Sequence, residues 1–257
     1  MKVSIIIPTH NEEKRIENTL EEYVNFFNKS MKGNYEILVI LNGCTDNTIE
    51  ILKNISKKYG SIKYKNFKES GKGFAILEGF KEALKNKSDM IGFVDADMAT
   101  SPAAFYDLIK NIKNYDGIIA SRYVKGAIVR PKQRLQRIFA SRIFNFLVRV
   151  MFLLPYKDTQ CGAKLIKKDA LEKILYKITT TNWAMDVDLL YKAKKLKLNV
   201  KEHPTVWEDK EGSRLNLRKA SIQMFFAIIR LRLLNSKIKK IWWVFRPLSG
   251  ILWRFIK

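Results

Sequence analysis

Cysteine is almost missing from this chain. Two residues, Cys44 and Cys161, stand among 257, both in polar, loop-like stretches. That argues against a disulfide framework and for a reducing compartment. Acidic residues are scarce too: 25 Asp and Glu face 48 Lys and Arg, a formal charge of +23. A surplus of that size points to nucleic acid, an anionic membrane surface or phosphorylated substrates as partners, and charge alone does not choose among them. Long apolar runs are also lacking. No window reaches the ~18 uninterrupted apolar residues of a spanning helix, because Arg142, Arg149, Arg230, Arg232 and Arg246 break each candidate, so membrane contact is expected to be peripheral. The apolar stretch near the start is closed by Pro8 and is too short for a signal peptide's hydrophobic region, which predicts a cytosolic location.

What is present is 47% hydrophobic residues, enough for one large core or one domain with an appendage. Short apolar runs alternate with helical patterns: VSIII, then EEKRIENTLEEYVNFFNK, then YEILVIL, a helix opening near Asp46, SIKYKNF, a helix after Gly73, and MIGFV. The alternation predicts an α/β domain with a mostly parallel sheet flanked by helices. ILVIL and MIGFV are continuously apolar, as strands covered on both faces are. In such sheets ligands bind beyond the strands' carboxyl ends, so the loops after Ile7, Leu41 and Val94 are the places to seek chemistry. A long helical pattern follows from about Pro131 to Leu154. Near residue 215 the composition shifts to a basic, Trp-rich end, which divides the chain into a domain over 1–215 and an appendage over 216–257.

The strongest local feature is Asp95-Ala96-Asp97 directly after MIGFV. Two carboxylates at a strand end suit Mg²⁺ or Mn²⁺, hard ions that take oxygen ligands and keep positions open for substrate phosphate. Helix capping or a solvated turn is the alternative. Asp186-Val187-Asp188 repeats the spacing but lies in a helical pattern, where residues two apart do not share a face. Pro8-Thr9-His10-Asn11-Glu12-Glu13 by itself reads as a helix cap with an acidic first turn. The turn after Leu41 also reads as ordinary capping, although Asn42 could hydrogen-bond a nucleobase edge. Ser70-Gly71-Lys72-Gly73 lacks the spacing of a P-loop, which excludes an ATPase of that kind, yet a lysine between glycines can approach a diphosphate.

Taken in order, strand-PTHNEE, strand-LNGCTDNT, GKG, strand-DAD, SR and DTQCGAK resemble the family 2 glycosyltransferases of GT-A (Rossmann-like) fold. Within them the chain resembles the dolichyl-phosphate sugar synthases, and most of all the β-glucosyltransferase branch, through Asp158-Thr159-Gln160-Cys161-Gly162, Trp183-Ala184-Met185-Asp186 and the segment WEDKEGSRL at 207–215. The resemblance spans about residues 3 to 215. It implies that Pro8, His10, Glu12 and Asn42 contact the nucleoside of a nucleotide-sugar, with Lys72 near the diphosphate. It implies Asp95 and Asp97 as ligands of the Mg²⁺ or Mn²⁺ on that diphosphate, and Arg122 between diphosphate and acceptor. Arg137 and Ser141, four apart on the long helix, would meet the phosphate of a polyprenyl or dolichyl acceptor, with Lys210 and Arg214 as cationic lid residues. Asp158 or Asp186 would orient the sugar or act as a base. UDP-glucose is the favoured donor and GDP-mannose the alternative. Three positions depart from the pattern: His10 stands for the usual Tyr, Asn42 for an Asp, and Ala99 where mannosyl enzymes often carry Gln.

On the long helix Arg134, Arg137, Ser141, Asn145 and Arg149 recur at three- and four-residue steps. Opposite them lie Leu135, Ile138, Phe139, Ile143, Phe146, Leu147, Val150 and Leu154. One face could be wetted by lipid while the other meets a phosphate, or a solvated basic face could cover a protein core. Residues 218–257 interleave Lys and Arg with Trp242, Trp243 and Trp253, the composition of amphipathic helices lying in a headgroup interface. Together these features predict a peripheral enzyme at the cytosolic membrane face, with a possible membrane partner subunit. A sugar nucleotidyltransferase is disfavoured because PTHNEEKRI contains no glycine. A non-catalytic basic module binding nucleic acid is the rival of a different class, and the concentration of cations beside aliphatic and Trp-rich stretches argues against nucleic acid as the partner.

Overall fold

Strands β1 (Val3–Thr9) and β2 (Tyr35–Asn42) are buried along their whole lengths, and the sheet is built outward from them. The computed structural model describes residues 1–131, 135–179, 184–208 and 217–236, with the side chains at 135–137, 140 and 217–222 outside that description. Within it β3 (Ile62–Phe67), β4 (Met90–Phe93), β5 (Gly117–Ser121), β7 (Lys164–Lys167) and β8 (Val200–Pro204) complete a seven-stranded sheet in the order β3-β2-β1-β4-β7-β5-β8. Its pairs are parallel except that β7 runs against both β4 and β5. A short pair of β6 (Ile128–Arg130) and β9 (Val206–Glu208) stands apart. The continuous apolar runs are thus central strands between two helical layers, the alternative to a half-exposed sheet with period-two alternation.

Helix α1 (Ile16–Met31) buries Ile16, Thr19, Leu20, Tyr23, Val24 and Phe27, a stripe at helical spacing against one sheet face. It ends where Lys32 takes a left-handed φ of 47°. On the same face lie α2 (Thr48–Lys58) and α4 (Pro102–Asn111), the latter started by Ser101, whose Oγ accepts from the Ala104 amide, with Pro102 in the first turn. The other face carries α3 (Lys72–Lys85), α6 (Lys168–Leu175) and α7 (Met185–Lys195) over Ile6, Leu38 and Phe93, with Phe80 of α3 buried among them. Each such fully buried aliphatic or aromatic side chain contributes about 1.5–3 kcal/mol.

A third cluster joins α5 (Leu135–Phe152) and α8 (Leu217–Leu234) to the domain. Ile228 and Leu231 of α8 are buried with Val148, Phe152, Tyr156, Val187 and Leu190. The appendage expected from residue 216 onward therefore begins with a helix that completes a core, because its apolar side has a protein partner. No helix among the described residues is long and apolar enough to cross a membrane. The Trp-rich stretch from 237 lies outside the described residues.

Candidate active site

Because β1, β2 and β4 are parallel, the ends of the first two and the turn after the third open at one sheet edge. β7 is reversed, so its start also reaches that edge: Phe93 of β4 pairs with Lys164 of β7. The reversal brings the turn at 158–163 beside Asp95-Ala96-Asp97. Gly92 allows this approach, since a Cβ there would stand 2.5 Å from the Lys164 carbonyl oxygen. Gly162 allows the next step. A Cβ on Gly162 would come within 2.1 Å of Asp95 Oδ2, so the backbone lies directly against the carboxylate.

Helix α1 and strand β9 brace the carboxylate turn. Thr19 Oγ1 donates to the Ala96 carbonyl at 2.9 Å, Tyr23 Oη to that of Thr100 at 2.7 Å, and the Glu208 amide to that of Ala99 at 2.9 Å. Asp97 Oδ1 accepts from the Ala99 amide at 2.9 Å. Lys72 opens α3 and places Nζ 2.5 Å from Asp95 Oδ1. Burial raises the Asp95 carboxyl above its ordinary range, with Asp97 and Asp186 adding to the effect and Lys72 opposing it. Burial disfavours the Lys72 charge in turn, but Asp95, Asp186 and Asp97 outweigh it and hold its pKa above the usual lysine value. Among the described residues no group of three or more His, Cys, Asp or Glu side chains converges on a metal position. Two carboxylates at the cleft fit a Mg²⁺ or Mn²⁺ ion that takes its remaining ligands from water and substrate phosphate.

Arg122, just past β5, grips Asp158 in a bidentate pair, Nε to Oδ2 at 2.7 Å and a terminal guanidinium nitrogen to Oδ1 at 2.9 Å, while its own amide also donates to Oδ2 at 3.0 Å. Asp158 is fully buried. Burial alone would raise its carboxyl; the Arg122 guanidinium outweighs that and holds it below the ordinary aspartate range. The Lys157 and Asp158 amides donate to Glu202 at 2.8–3.0 Å. Arg122 also lies 5.3 Å from the ring centres of Tyr123 and Trp207. Tyr123 Oη donates to Ser141 Oγ at 2.9 Å, and Asn145 Oδ1 accepts from the Thr159 amide and hydroxyl at 3.0 and 2.8 Å. The middle of α5 is thereby fastened to the Arg122 side of the cleft.

Several nucleoside candidates serve the protein itself. Asn42 is buried, donates to the Thr9 carbonyl and accepts from the Gly71 amide, both at 2.9 Å. It ties the ends of β1 and β2 to the loop before α3. Glu12 forms an ion pair with Arg15, and Pro8 is buried within β1 opposite Ile40. His10 remains exposed at the mouth, its Nδ1 2.7 Å from the Asn42 carbonyl oxygen. Asp186 and Asp188 face different ways, as helical geometry requires: Asp186 meets Lys164, while Asp188 accepts from Thr179. Arg137 belongs to α5, with its side chain outside the description; Lys210 and Arg214 lie outside the described residues.

Sequence reading passed over Glu202 and Lys164 and placed Asn145 only in the polar stripe of the long helix. Lys164 left a signal of its own, a lysine inside the apolar run AKLIK. Asn145 and Glu202 owe their roles to partners 14 and 44 residues away.

A sheet edge that is acidic at its centre and flanked by Lys72 and Arg122 is the plan of GT-A transferases. The chain belongs to glycosyl transferase family 2, whose profile matches residues 4–175. Among similar proteins, the dolichyl-phosphate beta-glucosyltransferase of Dictyostelium discoideum is 32% identical over 244 residues, covering 90% of this chain and 73% of its own. The human dolichyl-phosphate beta-glucosyltransferase is 30% identical over 251 residues, covering 91% and 76%. A crystal structure of glucosyl-3-phosphoglycerate synthase from Mycobacterium tuberculosis, in complex with Mn²⁺, uridine diphosphate and phosphoglyceric acid, shares the fold. Its TM-score is 0.67 at 15% identity, with 92% of this chain and 80% of that one covered.

Proposed function

We propose that this glycosyltransferase moves a hexose, with UDP-glucose as the favoured donor, onto the phosphate of a dolichyl or other polyprenyl lipid at the cytosolic face of a membrane. The observation that carries the reading is the juxtaposition of Asp95 and Asp97 with the clamped Arg122 and, through Tyr123, with Ser141 on α5. The names of the relatives supply the acceptor class and the sugar.

An acceptor phosphate oxygen would attack the anomeric carbon as the bond to the diphosphate breaks on the opposite side, inverting configuration. A phosphate monoester is largely ionised near pH 7, so stabilising the departing charge matters more than removing a proton. Asp95 and Asp97 would hold a divalent cation, which when bound would supply positive charge to the leaving diphosphate. Lys72 offsets the charge of Asp95 and would lie within reach of the same diphosphate. Arg122, oriented by Asp158, presents its cationic edge between donor and acceptor, and Arg137 with Ser141 receives the acceptor phosphate. Asp158 is committed to Arg122 and kept ionised, which suits orientation better than proton transfer. Asp186, 15% exposed and paired with Lys164, would be the carboxylate that meets the sugar.

A membrane surface as partner is supported by α5, whose Phe139 and Phe146 are 67% and 61% exposed along one side. With Ile143 and Val150 they form a stripe at three- and four-residue steps, next to the exposed Arg142 and Arg149. The test is nucleoside diphosphate release from a panel of UDP- and GDP-sugars, with Mg²⁺ or Mn²⁺, with and without dolichyl phosphate. Release should require donor, metal and lipid, and Asp97→Ala should lower it by about a hundredfold or more. Release that ignores the lipid would remove the acceptor assignment.

A further inference from the structure

Among the described residues Lys164 is the one large charged side chain buried completely, at 0% exposure. Its Nζ lies 2.6 Å from Asp186 Oδ1, donates to the Cys161 carbonyl at 2.8 Å and stands 5.3 Å from the centre of the Phe93 ring. An ammonium in such a place is costly unless paired and hydrogen-bonded, and the two oxygens it holds both belong to the cleft. One sits in the turn whose next residue, Gly162, presses on Asp95. The other is half of the Asp186 carboxylate, whose Oδ2 has no hydrogen-bond partner among the described residues. Asp186 is 15% exposed and close enough to Lys72 and Asp95 to act on their charges.

We infer that Lys164 is a positioning residue of the sugar subsite. From inside the sheet it fixes Asp186 Oδ1, so that Oδ2 faces the hydroxyls of the donor hexose. Its carboxylate partner comes from helix α7, so the pair ties that helix to β7 beside the cleft. This inference rests on the transferase reading above. It adds a division of labour: the carboxylate pair and Lys72 take the diphosphate, while Asp186 held by Lys164 takes the sugar.

The test compares binding of uridine diphosphate and of intact UDP-glucose, each with Mn²⁺, by calorimetry on the full chain, alongside donor turnover with dolichyl phosphate. Lys164→Met, Asp186→Asn and the double variant form a cycle. Each single variant should bind uridine diphosphate within about threefold of wild type yet lose about tenfold or more in UDP-glucose affinity and in turnover. The double variant should be no worse than the poorer single one. Equal loss for uridine diphosphate and UDP-glucose, additive losses in the double variant, or wild-type behaviour of Lys164→Met would each overturn the inference. Should Lys164→Met fail to fold because it strands Asp186, the double variant, which removes both charges, is compared with Asp186→Asn alone: equality supports the pairing and a further tenfold loss overturns it. Because the binding comparison needs no lipid, wild-type protein that binds UDP-glucose but transfers nothing refutes the acceptor reading separately. Protein that binds no nucleotide-sugar refutes both.

Discussion

Asp158→Asn removes the charge opposite a nearly buried guanidinium, and breaking a buried pair from one side typically costs about 3–5 kcal/mol. Urea unfolding at pH 7 should show a loss of that order. The carboxyl of Asp158 is lower in the folded protein than in the unfolded chain, where aspartate titrates near about 3.9. Stability from the pair is therefore complete above that value and fades as pH falls through it and past the folded value. Wild type should lose stability over this acid range, and Asp158→Asn should lose less of it; parallel pH profiles would show that the pair is not a source of the acid sensitivity. Gly162→Ala forces a methyl onto Asp95 Oδ2. It should cost about 1–3 kcal/mol in denaturation midpoint while lowering donor turnover by about tenfold or more, as the carboxylate is displaced. At this scale the sequence disclosed Asp95 and Asp97, because a strand end aims them by itself. It did not disclose what Asn42 does, since its partners Thr9 and Gly71 lie 33 and 29 residues away.

The central strands and the helices between them were legible as elements, since continuous apolar runs and helical stripes are local patterns. Helix α5 was legible in extent but only partly in orientation. Its polar positions were expected to share one stripe, yet Asn145 is buried against Thr159 while Arg149 is exposed. Apolar residues lie on two sides of this helix: Val148 and Phe152 meet the core, whereas Phe139, Ile143, Phe146 and Val150 face outward. Periodicity reports that a helix has apolar stripes and does not report which stripe a neighbouring element covers. Phe139→Glu with Phe146→Glu should leave the thermal midpoint close to wild type and reduce sedimentation with anionic vesicles by about tenfold or more. Unchanged sedimentation would remove the membrane role of this face.

Across the whole molecule, the +23 charge predicts vesicle association that weakens as salt is raised from about 0.05 to 0.5 M, a range in which screening shortens severalfold. The tail belongs to the same scale. Truncation before Arg218 would uncover the pocket filled by Ile228 and Leu231, so the separable cut falls after Ser236. Deleting 237–257 should preserve donor binding and the thermal midpoint while reducing vesicle association, and Ile228→Ala should lower stability by about 2–5 kcal/mol. An unchanged association after the deletion would exclude the tail as a membrane contact. By itself the sequence determined the alternation of strands and helices, the carboxylate pair at a strand end and the charge surplus, because each depends on residues near one another along the chain. Tertiary structure alone decided that β7 runs backward to lay Gly162 on Asp95, that Asp158 clamps Arg122 and that Lys164 reaches Asp186. Those contacts join residues many positions apart, and only the closed sheet brings them within hydrogen-bonding distance.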